Sequence, residues 1–364
     1  MMTWALRQLP PESAHRASIT ALKCGAARVL KLRRPRASEA DGALATTVAG
    51  LKLANPVGLA AGFDKNAEVV APMFDLGFGF VEVGTVTPRP QAGNEKPRLF
   101  RLSADRAIIN RMGFNNDGAA RVAGRLAALR ERHPTLPGPV GVNLGCNRGT
   151  DDPVADYRVG VETFADLADY LVINVSSPNT PGLRALQAAD SLRRLLGAVT
   201  EARDARSRRV PVFVKIAPDL DAADIEALVA PLLDSGVDGV MATNTTTDRP
   251  RSLKAPERVE TGGLSGRPLA AIAGRVQGRL VGALGGALGS KLPVIGVGGI
   301  ASGRDAYDRI AGGAAAVQLY SALVFEGPGL IRSMRGDLAD LLRTNGHATV
   351  ANAVGARWGV VDAA

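Results

Sequence analysis

Tyr170-Leu171-Val172-Ile173 runs directly into Asn174-Val175-Ser176-Ser177-Pro178-Asn179-Thr180-Pro181-Gly182-Leu183. The four apolar residues read as a parallel strand buried on both faces. The stretch after them is too polar and too rich in proline for an ordinary short turn. Its prolines stiffen the backbone and restrict the residues before them. Its amides and hydroxyls offer donors and acceptors without net charge. A stiff polar cluster at the carboxyl end of a strand is where an α/β protein places its chemistry.

The same unit of strand, polar loop and helix repeats from Pro56 onward. Strands are expected at 57–60, 80–83, 140–143, 171–175, 212–215, 239–242, 294–297 and 316–319. Helices are expected between them, at 116–131, 191–205, 222–235 and 269–284 among others. Eight strands alternating with helices predict an α/β fold, a (β/α)8 TIM barrel occupying 39–364, in preference to an open doubly wound sheet. A small strand pair, 45–48 and 51–53, turning at Ala49-Gly50, precedes it.

The chain of 364 residues is 46% apolar, enough for a large core, and no run of about 18 apolar residues is long enough to span a bilayer. Two cysteines, Cys24 and Cys146, exclude a disulfide scaffold. The three histidines, His15, His133 and His347, avoid the Gly/Asn-rich loops, which argues against a metal centre and leaves each a surface or packing role. The net charge is +9, but residues 1–40 hold eight Lys/Arg against Glu12 and Glu39, leaving only +3 for the rest. Residues 1–38 therefore stand apart as an N-terminal segment. Pro10-Pro11 with Glu12 and Ser13 opens a helix to about Leu22, and a second runs from Cys24 to Leu32. Two short amphipathic, basic helices are suited to an anionic membrane surface.

In a barrel the residues after each strand converge on one mouth. Here they are Ala61 to Asn66, Gly84 to Thr87, Asn143, Asn174 to Asn179, Lys215, Thr243 to Thr245, Gly296 to Gly299 and Tyr320-Ser321, joined by Asn110 to Asn116 from the insertion after the second strand. The glycine-rich end of the seventh strand, with Tyr320-Ser321, is where barrels commonly bind phosphate. Five asparagines, Asn110, Asn143, Asn174, Asn179 and Asn244, match the donor–acceptor edge of a planar imide. Lys65 and Lys215 at strand ends are costly to bury unless they face an anion. A phosphate-bearing planar cofactor and a planar anionic substrate follow; flavin mononucleotide (FMN) and a pyrimidine carboxylate fit.

Several of these motifs stand in a fixed order. They are Gly62-Phe63-Asp64-Lys65, Asn110-x-x-Gly113-Phe114-Asn115, Asn174-x-x-Ser177-Pro178-Asn179-Thr180-Pro181-Gly182 and Lys215-Ile216-Ala217-Pro218-Asp219, then Thr243-Asn244-Thr245, Gly263-Leu264-Ser265-Gly266, Gly296-Val297-Gly298-Gly299 and Val317 to Ser321. Together they closely resemble the dihydroorotate dehydrogenase family. Ser177, where soluble class 1 members carry cysteine, and the N-terminal segment resemble the quinone-linked, membrane-associated class 2.

The resemblance implies oxidation of (S)-dihydroorotate to orotate in de novo pyrimidine biosynthesis, with one FMN per subunit and a membrane quinone as electron acceptor. It implies FMN contacts from Ala61, Gly62, Phe63, Asp64, Lys65, Thr85, Asn143, Asn174, Lys215, Thr243, Gly266, Gly299, Tyr320 and Ser321. Substrate contacts are implied for Lys65, Asn110, Arg111, Met112, Gly113, Phe114, Asn174, Asn179, Asn244 and Thr245. Ser177 would be the catalytic base, helped by Thr180 and screened by Phe114. Cys146 departs from the family's lysine at that position and is read as an incidental small residue. A monomer is expected, peripheral on the cytoplasmic side of the cell inner membrane through residues 1–38. RNA-directed flavin barrels are disfavoured: they use a cysteine acid, and the body lacks the basic face that nucleic-acid binding needs.

Overall fold

The computed structural model describes residues 6–32, 40–286 and 292–357. The boundary expected at 38/39 lies outside the described residues.

Eight parallel strands close into a barrel in the order β3 (Val57–Leu59), β4 (Phe80–Val86), β7 (Val140–Leu144), β8 (Tyr170–Asn174), β9 (Val212–Ile216), β10 (Gly239–Ala242), β12 (Val294–Val297) and β13 (Ala314–Leu319). These are the eight strands expected from sequence. Their residues are buried almost without exception, as strands covered by helices outside and packed side chains inside must be. The last residues of several strands differ from expectation: Asn143 and Lys215 lie inside their strands, which run on to Leu144 and Ile216.

At the amino ends of the strands, Phe80, Tyr170 and Phe213 stack edge to face and pack with Met241 and Ile295. The antiparallel hairpin of β1 (Thr46–Val48) and β2 (Leu51–Leu53) adds Val48 and Leu53 to this cluster. It turns at Ala49-Gly50, both at positive φ, as a tight hairpin requires. One end of the barrel is thus plugged with apolar side chains, leaving the other for chemistry.

The insertion after β4 is not an irregular loop. Strands β5 (Leu99–Leu102), β6 (Ala107–Asn110) and β11 (Gly263–Gly266) pair antiparallel into a small sheet, order β11-β6-β5. The helix expected from Asn116 begins at Ala119. Asn116 is committed to the loop: its Oδ1 accepts the Gly118 N–H at 2.8 Å, and its Nδ2 donates to Thr87 Oγ1 at 2.8 Å.

The N-terminal segment is docked on the body, not detached from it. Helix α1 (Pro11–Lys23) is followed by α2 (Ala26–Leu32). Glu12 pairs with Arg98 at 2.8 Å, Lys23 with Glu68 at 2.7 Å, and Ala14, Leu22 and Ala27 are buried. Val29 points outward at 59% exposure, and no helix among the described residues is long and apolar enough to cross a membrane.

Candidate active site

The open end of the barrel holds a cavity of about 190 Å³. Ala61, Gly62 and Lys65 follow β3, and Thr85 comes from β4. Asn174, Ser177 and Asn179 enter from β8 and the loop after it, and Lys215 from β9. Thr243, Asn244 and Thr245 follow β10, while Gly299, Tyr320 and Ser321 follow β12 and β13. The small sheet and its loop add Asn110, Met112, Gly113, Phe114 and Gly266.

Four expected residues do not line this cavity. Asp64 is buried and shapes its own loop, accepting the N–H groups of Glu68 and Val69 at 2.8 Å each. Arg111 pairs with Glu260 at 2.7 Å, with its guanidinium 4.5 Å from the Phe100 ring centroid. Phe63 faces a second cavity. Asn143 is fully buried within the floor.

That floor is a polar network within an apolar barrel. Glu82 on β4 accepts from Asn143 Nδ2 at 2.8 Å and from Gln318 Nε2 at 2.6 Å. Asn143 Oδ1 in turn accepts from Thr85 Oγ1 at 2.5 Å and from Asn174 Nδ2 at 3.0 Å. Asn244 Nδ2 donates to Asn174 Oδ1 and to Ser176 Oγ, both at 3.1 Å. Each amide is therefore held in one orientation by its neighbour, a preorganised set of donors and acceptors. Sequence reasoning missed Glu82. Its signal was a lone carboxylate inside the apolar run Phe80-Val81-Glu82-Val83.

Above the floor, Asn179 Nδ2 donates to Asn110 Oδ1 at 3.2 Å, joining the loop after β8 to the small sheet. Ser177 is 6% exposed; its Oγ accepts the Asn179 N–H at 3.3 Å, and its hydroxyl proton has no acceptor among the described residues. Arg184 secures this loop from outside, donating to the carbonyls of Ser176 and Thr245 at 3.2 Å each and pairing with Asp219 at 2.8 Å.

Lys65 Nζ donates to Gly62 O at 2.7 Å. Burial, with the nearby Arg98 cation, pushes its ammonium down to about 8. Lys215 Nζ makes no hydrogen bond among the described residues and reaches only Glu82 Oε1, at 3.9 Å. A buried ammonium in that position calls for an acceptor inside the cavity. The Gly299 N–H likewise has no acceptor among the described residues. An imide-bearing ring near Lys215 and a phosphate near Gly299 would satisfy both, so this donor set fits FMN. Cys146 is buried and burial pushes its thiol up to about 11, which keeps it from acting as a thiolate.

A second cavity, also about 190 Å³, lies between α1 and the barrel mouth. Its walls are chiefly apolar, including Pro11, Ala14, Leu22, Phe63, Leu323 and Val324. It shares His15, Leu99, Ile108 and Tyr320 with the first cavity, so the two adjoin. His15 packs edge-on against Phe63 at 5.5 Å, as a packing histidine should, yet it also stands where the cavities meet. Its Nε2–H donates to Phe63 O at 2.8 Å, and burial followed by the charge of Lys65 pushes it down to about 4. Arg7 and Arg101 are the cations of this channel, Arg101 Nη1 donating to Arg7 O at 2.7 Å.

Residues 43–342 match the model of the family described as dihydroorotate dehydrogenase. A curated protein of Rhodospirillum rubrum named dihydroorotate dehydrogenase (quinone) is 53% identical over 350 residues, covering 96% of this chain and 91% of its own. One of the same name from Azorhizobium caulinodans is 50% identical, covering 95% of each. Among solved structures, DHODH of Eimeria tenella in complex with ferulenol superimposes with a TM-score of 0.88 at 40% identity, covering 96% of this chain and 98% of that one.

Proposed function

The chain belongs to the dihydroorotate dehydrogenase family, in its quinone-linked class, and from that premise we propose that the cavity oxidises (S)-dihydroorotate to orotate for de novo pyrimidine synthesis on an FMN reoxidised by quinone. One observation carries the reading. A cavity with fixed amides, two lysines and a serine adjoins an apolar channel under the N-terminal helices.

When bound, FMN supplies the hydride acceptor and returns the electrons one site further on. The residues of the chain do the rest. Asn110, Asn174, Asn179 and Asn244 meet the imide and amide edges of the substrate, and Lys65 meets its carboxylate. Ser177 takes the proton from carbon 5. Serine is a weak base at neutral pH, and no histidine stands beside it. Thr180, buried in the same loop, passes the proton on, and Phe114 screens the reacting carbon from solvent. Lys215 would hold the flavin by its pyrimidine end and supply positive charge there. Gly266, Gly299, Tyr320 and Ser321 hold the phosphate end.

The channel suits a quinone ring and tail, being mostly apolar, with Arg7, His15, Ser18, Arg101 and Tyr320 as its polar residues. The exposed Val29 and the basic residues of the N-terminal segment other than Arg7 and Lys23 would rest on an anionic bilayer, each contributing on the order of 1 kcal/mol. The proposal therefore includes a peripheral position on the cytoplasmic side of the inner membrane, with the enzyme acting as a monomer.

The test is anaerobic addition of dihydroorotate to the purified yellow protein, followed by a short-chain quinone. Bleaching of the flavin band and its recovery on quinone addition are expected. Recovery with fumarate but not quinone would move the enzyme to class 1, and no bleaching would remove the substrate assignment.

A further inference from the structure

Arg309, on helix α10 (counting α3 Ala40–Leu44, α4 Val70–Leu76, α5 Ala119–Arg132, α6 Pro153–Phe164, α7 Ala189–Asp204, α8 Ala222–Asp234 and α9 Ala270–Ala283 before it, with α10 itself Gly303–Ala311), is a buried cation that the reaction above does not use. It forms no ion pair among the described residues. Its Nη1 donates to Gln277 Oε1 on α9 at 2.9 Å, and its Nη2 to the carbonyl of Gly298 at 2.6 Å. Gln277 is fixed in turn, its Nε2 donating to Arg309 O at 2.8 Å. The guanidinium is 8% exposed and all the acceptors it bonds are neutral, the carboxylate of Asp305 acting on it without a direct bond.

The peptide it touches is the one that turns into the cavity. The 298–299 bond is trans, so its C=O and N–H point in opposite directions. With Gly298 O held outward by Arg309, the Gly299 N–H is turned inward, and it has no acceptor among the described residues. The turn cannot readily adjust otherwise. Gly298 and Gly299 both have positive φ, and a Cβ on Gly299 would lie 2.3 Å from Ala270 Cα at the start of α9.

We infer that Arg309 is a positioning residue for the phosphate of FMN: from behind the turn it orients and polarises the 298–299 peptide so that the Gly299 amide is presented to the anion. The inference rests on the FMN reading above. Asp305 lies close enough to favour the charged guanidinium, but the atoms that Arg309 bonds are neutral, and through one of them, the Gly298 carbonyl, its charge is passed along the peptide toward the phosphate. Burial pushes Arg309 down to about 10, with Asp305 opposing, so the cation persists at neutral pH.

The test compares FMN with riboflavin, which carries the same ring without the phosphate. Flavin is stripped from the full-length holoenzyme, and both ligands are titrated by fluorescence quenching into wild type, R309M and R309K. In R309M, FMN binding should weaken about tenfold to a hundredfold, the scale of a lost charge-assisted hydrogen bond, while riboflavin binding stays as in wild type. R309K should recover most of the FMN preference. Equal weakening of both flavins in R309M would mean that Arg309 only shapes the turn, and an unchanged FMN affinity would overturn the inference outright. If R309M does not fold, R309Q, which can keep a bond to Gly298 O without the charge, is compared with R309K. Equal FMN-to-riboflavin ratios in those two would also overturn it. A wild type that prefers neither flavin would instead refute the FMN reading itself.

Discussion

Lys215 and Glu82 face each other across the floor of the cavity at 3.9 Å, a lysine on β9 and a carboxylate on β4 that the sequence separates by 133 positions. The carboxylate is already engaged by Asn143 and Gln318, so the ammonium keeps its donors for the cavity. Removing it should cost transition-state charge stabilisation. K215A should retain FMN while its single-turnover reduction by dihydroorotate slows by about 10²–10³, the scale of one preorganised electrostatic contact. Unchanged reduction in stopped-flow would remove Lys215 from the chemistry.

Ser177 stands 6% exposed with its hydroxyl proton uncommitted. S177A should slow flavin reduction by about 10²–10⁴, the range of a general base, and leave quinone reoxidation of pre-reduced enzyme untouched. T180V should slow reduction less than S177A. If T180V reduces at the wild-type rate, the proton leaves by another route.

The depressed Lys65 yields a pH dependence. Below about 8 its ammonium is charged and can hold the substrate carboxylate, and above that it is neutral. The kcat/KM for dihydroorotate should therefore fall as pH rises through 8, chiefly through KM. K65Q should have a higher KM and lack this limb. A limb that persists in K65Q belongs to another group.

His15 is expected to lower stability in acid. Its folded value near 4 lies below the unfolded value near 6.5, so between these pH values the unfolded chain binds more protons. Its contribution is full above 6.5 and is lost as pH falls towards 4. Thermal unfolding of wild type and H15Q, followed from pH 7 to 4.5, should give a difference that shrinks as pH falls. A constant difference would show that His15 does not titrate in this window.

Deletion of residues 1–38 should abolish quinone turnover while sparing flavin reduction, since α1 walls the channel but leaves the floor of the cavity untouched. Loss of both activities together would make the segment structural. Liposome co-sedimentation of the full chain should weaken with rising salt, because basic side chains supply the attraction.

The barrel was legible because its signal is local. Eight apolar runs, each followed by a polar loop and a helix, need no long-range information to be counted, and every expected strand is present. The loops lining the cavity were legible for the same reason: their glycines, prolines and amides lie at strand ends, and barrel topology alone brings strand ends together. Helix starts were less so, because Asn116 could serve a loop or a helix equally well until its partner Thr87 was placed.

By itself, then, the sequence determined the barrel, the convergence of Lys65, Asn174, Ser177, Lys215 and Asn244 on one mouth, and the basic amphipathic character of the N-terminal segment. Only the tertiary structure decided which polar residues face the cavity. Asp64 and Asn143 turn away because nearby N–H and carboxylate partners satisfy them. Only the fold brought His15 beside Phe63 and Arg309 behind Gly298, contacts spanning 48 and 11 positions. A side chain's partner across such a gap is set by how helices pack on the barrel, and burial makes the choice final: an amide or cation removed from water must point at the acceptor that the fold supplies.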